Sequence, residues 1–154
     1  MEIKEFLSST QATIDLRAPD KDSLLRELSQ RAAATVRLNA DSISSEILKR
    51  EKLGSTGIGG GVAIPHARIK GLKKPFGILA RLKSAIDFDA IDDKPIDIVF
   101  LLLLPVETEG EHITALASVA RILRDAETVG KLRHASDNAD IYRVMTEDRK
   151  SKIT

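Results

Sequence analysis

Apolar positions change period several times along this chain, and each change marks an element. In ATIDLRA, residues 12–18, Ile14 and Leu16 alternate with polar neighbours, which predicts a strand closed by Pro19. After Asp20 the period becomes helical. Leu24, Leu25, Leu28, Ala32 and Val36 share one side of a helix that Asp20 can cap. A second helix follows in DSISSEILKREKLG, with Asp41 as expected cap, Ile43, Ile47 and Leu48 inward, and Gly54 as stop. VAIPHARI predicts a short strand broken by Pro65 and placed at an edge or ending there, because proline offers no N–H. Residues 76–82 read as β-structure. Residues 96–105 form a near-continuous apolar run, the pattern of a strand covered on both faces.

Helices return in the last third. In TEGEHITALASVARIL the expected buried stripe is Ile113, Leu116, Ala117, Ala120 and Ile122 or Leu123, with Glu109 and Glu111 favourable near the helix start. AETVGKLRHA predicts a short helix or turn. A final helix is capped by Asp137 or Asn138 and turns Ile141, Val144 and Met145 inward, before a polar tail that is expected to fray. Helices before, between and after strands predict one α/β domain over residues 1–154, with a core over about 10–147: a mixed β-sheet with helices on both faces.

Composition narrows the chemistry. The chain has 154 residues, 42% of them hydrophobic, 31% charged and only 3% aromatic, so the core must be aliphatic. The scarcity of aromatic rings disfavours a base-stacking surface, and a net charge of +1 gives no electrostatic footprint for nucleic acid or membrane. There is no cysteine, which excludes thiolate nucleophiles and Cys-based metal sites. The N-terminal stretch has no signal-peptide pattern, and no apolar run approaches the roughly 20 residues of a spanning helix, so a cytoplasmic location is expected.

The candidate chemistry gathers at GIGGGVAIPHARI, residues 57–69, where Gly57, Gly59, Gly60 and Gly61 precede His66. Two readings of the glycine run stand side by side. It is a tight turn leading into a strand, or its successive N–H groups form an anion-binding concavity that a ligand can approach closely. Of the other histidines, His112 opens a helix just after the buried strand, where open α/β sheets tend to place sites. His134 sits in a charged stretch and reads as a surface residue. Arg50, on the helix before the glycines, can offer a guanidinium fork to a phosphate. Ser55 and Thr56 add hydroxyls.

Other templates fail. The glycines match neither the dinucleotide nor the P-loop spacing. His66 and His112 with Glu109 or Glu111 make a weak zinc set. Ser55 and His66 with an Asp lack the nucleophile elbow of a hydrolase. Arg50, the hydroxyls, the glycines and two histidines describe phosphate handling better.

REKLGSTGIGGGVAIPHARI and, later, EHITALASVARIL closely resemble the enzyme IIA domain of the fructose/mannitol class of the bacterial phosphotransferase system, most of all its nitrogen-regulatory branch. The likeness runs from about residue 10 to residue 147. It implies that His66 accepts a phosphoryl group on Nε2 from a carrier of the HPr or NPr kind. It implies that His112 hydrogen-bonds the phosphoryl group or its histidine, that Arg50 stabilises the phosphoryl charge, and that Ser55, Thr56, Gly57 and Gly59 wall the site. It implies a weakly enzymatic phosphotransferase with no cofactor or metal. Its targets would be regulated by phosphorylation state, potassium transporters and sensor kinases being associated with the family. The alternatives are a sugar-specific enzyme IIA that passes phosphate to a separate enzyme IIB, and a binding module without phosphotransfer. Many relatives carry a Gly-Lys-like pair after the histidine where this chain has Ala67 and Arg68, and Arg68 would add positive charge at the partner surface.

Overall fold

A computed structural model describes residues 1–107 and 109–147, apart from the side chains of Glu109, Glu111 and His112. Two short 3-10 turns, Ile3–Glu5 and Ser9–Gln11, lead into β1 (Ala12–Leu16). Helices α1 (Lys21–Val36) and α2 (Ala40–Lys52) follow, then β2 (Gly57–Gly59), β3 (Val62–Ala63), β4 (His66–Ile69), β5 (Phe76–Ile86) and β6 (Ile96–Pro105). The chain closes with α3 (Glu109–Leu123), α4 (Ala126–His134) and α5 (Asn138–Thr146).

The six strands form one mixed sheet in the order β1-β5-β6-β3-β2, with β4 also paired to β6. β1 runs parallel to β5, β5 antiparallel to β6, and both β3 and β4 parallel to β6. The α/β architecture with helices on both faces is therefore as expected. β6 is its spine. Ile98, Phe100, Leu102 and Leu104 pack toward α3, α4, α5 and the N-terminal turns. Ile96, Val99, Leu101 and Leu103 pack toward α1 and α2. Alternation of side chains across a strand explains why a run apolar at every position suits a strand buried on both sides. Each such side chain contributes about 1.5–3 kcal/mol on burial, so β6 is a rigid ruler against which its neighbours are held.

β3 and β4 lie in line along β6, Val62 opposite Ile98 and His66 opposite Leu102, with Ile64 and Pro65 as the break. Pro65 keeps the register through its carbonyl, which accepts from the Leu102 N–H at 2.9 Å. β4 is an edge, whereas β3 is flanked by β2. The glycine run is a β2–β3 hairpin, in keeping with the reading of a tight turn that leads into a strand. Gly60 and Gly61 make its tip at φ of 67° and 80°, which side chains with a Cβ rarely adopt.

Three expectations shift. Asn39 rather than Asp41 caps α2, its side chain accepting from the Ser42 N–H at 2.9 Å. Asp20 and Asp137 cap α1 and α5 as expected. β5 continues past residue 82 to Ile86 because a register shift against β6 lets it bend without ending. The buried face of α3 is Ala115, Ser118, Val119, Ile122 and Leu123, while Ala117 and Ile113 are exposed. Helical phase decides this: positions 115, 118, 119, 122 and 123 form one stripe, and Ile113 falls off it. The expected fraying tail lies outside the described residues.

Candidate functional site

His66 sits on the first position of β4, directly after the Ile64–Pro65 break, and is half-buried. Its Nδ1 lies 2.8 Å from the Ile64 carbonyl oxygen. A carbonyl only accepts, so Nδ1 carries the proton, and the neutral ring keeps its lone pair on Nε2. Burial pulls the imidazole below its ordinary pKa of 6.5, the Ile64 carbonyl pushes back, Arg50 adds to the lowering and Glu51 opposes it. Near neutral pH the ring is therefore mostly an uncharged nucleophile.

Arg50 comes from the last turn of α2, where Lys49 and Lys52 also lie and where cations suit the carbonyl end of the helix dipole. Its Nη1 donates to the Gly54 carbonyl at 2.9 Å, which pins the guanidinium and leaves other N–H groups of the fork for an anion. Arg50 and His66 line one shallow cleft of about 400 Å³. Leu53 and Ile113 stand at this cleft although they are 84% and 72% exposed. Lys49 and Arg68 supply positive charge there, and Glu46 a carboxylate.

The loop ahead of the hairpin is committed to the protein. Ser55 Oγ donates to the Phe88 carbonyl at 2.9 Å and accepts from the Gly57 N–H at 3.1 Å. Thr56 is buried. Its N–H donates to Glu51 Oε1 at 3.2 Å and its hydroxyl to Glu51 Oε2. The Gly60 N–H donates to Asp92 at 3.1 Å. These amides, expected to cradle an anion, already have acceptors. Gly59 stands at the hairpin end that pairs near Ile98, four positions down β6 from the partner of His66, or about 13 Å along the strand. The structure thus brings together His66, Arg50 and, behind them, Ser55, Thr56 and Gly57, and it does not bring Gly59 to the cleft.

His112 lies in the first half of α3, and its side chain is outside the described residues, as are those of Glu109 and Glu111. Among the described residues there is no cluster of three or more His, Asp or Glu that could hold a metal. His134 is exposed, and its Nδ1 is 2.7 Å from the Gly130 carbonyl. Sequence reasoning missed Glu51 and Lys21, which meet at 3.0 Å beneath the site. The signal was present: Glu51 extends the stripe of Ile43 and Ile47 at helical spacing, a charge on an apolar face.

The chain belongs to the family described as phosphoenolpyruvate-dependent sugar phosphotransferase system, EIIA 2, whose model matches residues 5–148. It is 41% identical over 145 residues to a nitrogen regulatory protein of Bradyrhizobium diazoefficiens, covering 94% of this chain and 95% of that one. Against the nitrogen regulatory protein of Escherichia coli K12 it is 37% identical over 128 residues, covering 82% and 78%. The crystal structure of the nitrogen regulatory protein IIA-Ntr from Neisseria meningitidis superposes with a TM-score of 0.89 at 32% identity, covering 94% of this chain and 99% of that one. Members of this family are phosphocarriers that exchange phosphoryl groups with other proteins of the system. No helix among the described residues is long and apolar enough to cross a membrane.

Proposed function

We propose that this protein is a phosphohistidine carrier of the nitrogen-regulatory kind, which accepts a phosphoryl group on His66 Nε2 from an HPr- or NPr-like carrier and regulates its targets by its phosphorylation state. The observation that carries the reading is the 2.8 Å contact from His66 Nδ1 to the Ile64 carbonyl, because it leaves Nε2 as the nucleophile beside Arg50.

In the step itself the Nε2 lone pair forms a bond to phosphorus, and the bond from phosphorus to the carrier's histidine nitrogen breaks, its electron pair returning to that ring. Charge gathers on the three equatorial oxygens, where the Arg50 guanidinium stabilises it. The ring gains positive character as Nε2 is substituted, and the Ile64 carbonyl on the opposite nitrogen stabilises that charge. Catalysis here is positioning and electrostatics, which a half-buried site supplies. The exposed side chains of Leu53 and Ile113 give a carrier an apolar landing surface. The likeness to nitrogen regulatory proteins along almost their whole length favours the regulatory branch over a sugar-specific one.

The test is the chemistry of the bound phosphate. After incubation with phosphoenolpyruvate, enzyme I and the carrier, the protein should hold phosphate that is lost in acid and stable in base. Phosphate of the opposite stability, or none with active partners, would end the reading.

A further inference from the structure

Glu51 is a buried carboxylate behind the site, and each of its oxygens has a partner. Its side chain is only 4% exposed, and Lys21 Nζ, itself 16% exposed, lies 3.0 Å from Oε1. Both carboxylate oxygens also accept from Thr56, one from the backbone N–H and one from the hydroxyl. Lys21 in turn donates to the Phe88 carbonyl at 3.2 Å and rests 4.5 Å over the Phe88 ring. Ser55 Oγ donates to that same carbonyl. Lys21, Glu51, Phe88 and residues 55–56 therefore form a polar network under the cleft, with the exposed Asp89 carboxylate 4.0 Å from Lys21 Nζ at its rim.

From this network a chain of bonds leads to the imidazole. The Thr56 carbonyl accepts from the Ile64 N–H at 3.0 Å, and the Ile64 carbonyl accepts from His66 Nδ1 at 2.8 Å. Pro65, between them, is clamped from β6 by the Leu102 N–H. The Ile64 backbone is thus gripped at its N–H by the loop that Glu51 holds and at its carbonyl by His66.

We propose, building on the reading of His66 as phosphoryl acceptor, that Glu51 is a positioning residue: it holds Thr56, and through the Ile64 peptide fixes the Nδ1–H tautomer and the aim of His66 Nε2. Lys21 completes the device. A bare buried carboxylate behind an anion-accepting ring opposes the incoming charge, and a buried ion left without its partner is costly. Neutralised by Lys21, Glu51 orients without repelling. Arg50 and Glu51 are successive residues on α2, about 100° apart around its axis, so one faces the phosphoryl group and the other its supports.

A merely structural Glu51 predicts loss of stability and a titration shift through its charge alone, whereas a positioning role also predicts a changed tautomer and slower transfer. The charged groups that line the cleft with His66 are Glu46, Lys49 and Arg50 from α2 and Arg68 from β4, while β6 and α3 contribute Leu104, Ile113 and Leu116; Arg50 and Glu51 are the charges that act on the ring. Against that fixed background, Glu51→Gln removes a negative charge and Lys21→Met unmasks one. The experiment is nitrogen-15 NMR of His66 across pH in the full-length wild type, Glu51→Gln, Lys21→Met and Glu51→Ala proteins, with single-turnover transfer from phosphorylated carrier.

The expected result is a lower His66 titration midpoint in Glu51→Gln, a higher one in Lys21→Met, and a mixed tautomer in Glu51→Ala. Transfer at saturating carrier should slow by about tenfold in Glu51→Ala, the loss expected when a nucleophile is misaligned, with the half-saturating carrier concentration little changed. Midpoints that move together in the two charge variants, or a folded Glu51→Ala with wild-type tautomer and transfer, would overturn it. If Glu51→Ala does not fold, the His66 tautomer and the transfer rate of Glu51→Gln and Lys21→Met decide: wild-type values in both would overturn the proposal. A wild type that takes no phosphate would overturn the acceptor reading instead, and the NMR arms would judge the positioning role separately.

Discussion

His66 Nδ1 and the Ile64 carbonyl oxygen are 2.8 Å apart, a contact between residues only two positions apart that leaves the lone pair of the neutral imidazole on Nε2. It is made possible by Pro65, which breaks the strand so that the ring can turn back on the carbonyl preceding it. Because burial lowers the pKa of this ring below 6.5, the neutral nucleophile persists to lower pH than in a free histidine. The rate of phosphoryl acceptance should be flat above that midpoint and fall as pH drops through it. A pH profile of single-turnover transfer checks this, and a midpoint above 6.5 would contradict it.

Arg50 should matter in two separable ways. On the proposed transfer, Arg50→Ala removes the guanidinium available to the equatorial oxygens, and transfer should slow by about a hundredfold, in keeping with the loss of one preorganised donor group. It also removes a positive charge that lowers the His66 pKa, so the midpoint of the pH profile should rise. Arg50→Lys should restore the midpoint but recover only part of the rate, because a point charge cannot reproduce the fork.

Leu53, 84% exposed at the cleft, has little to do for folding. Leu53→Asp should change stability by less than about 0.5 kcal/mol. It should raise the half-saturating carrier concentration by about tenfold if Leu53 lies near the centre of the docked surface. Phosphorylation by a small donor such as phosphoramidate should be unaffected. A loss with both donors would place Leu53 in the site rather than in the docking surface.

Gly61 is where the glycine run is constrained most. At φ of 80° a Cβ would be strained, and it would fall against the Arg133 guanidinium and the Asp97 carboxylate. That pair is a fork, with contacts of 2.9 and 2.8 Å, and Arg133 also donates to the Gly60 carbonyl at 2.6 Å. Gly61→Ala should cost about 2 kcal/mol in urea denaturation, from strain plus overpacking. Gly60→Ala, with open space around its Cβ, should cost less.

Local pattern carried much of the fold. β6 was legible because an unbroken apolar run has few other uses, and α1 because its leucines keep a helical period. The phase of α3 was not, because Ile113, Leu116 and Ala120 keep the same period as the buried residues and nothing local separates the two stripes. The pairing of the hairpin was hidden for a different reason. Glycines signal freedom, and only the partner strand β3, itself held against β6, shows that Gly57 and Gly59 are paired. Arg81 is a similar case: a strand residue in the sequence, it donates to the Leu132 and Ala135 carbonyls at 2.9 and 2.7 Å and closes the end of α4.

At the candidate site, His66 and Arg50, which share one cleft, were singled out from residue type and from the long REKLGSTGIGGGVAIPHARI string. The ion pair of Lys21 and Glu51 was not, because it joins residues thirty positions apart whose meeting depends on how α1 and α2 pack. Long-range pairs of this sort leave no periodic trace; the one hint was a carboxylate on an apolar stripe.

The most direct test of the central claim is intact mass after exposure to phosphorylated carrier, for wild type and His66→Ala. The expected result is a single phosphate-sized gain in wild type and none in the variant. Equal gains in both, or none in wild type beside an active carrier, would contradict it.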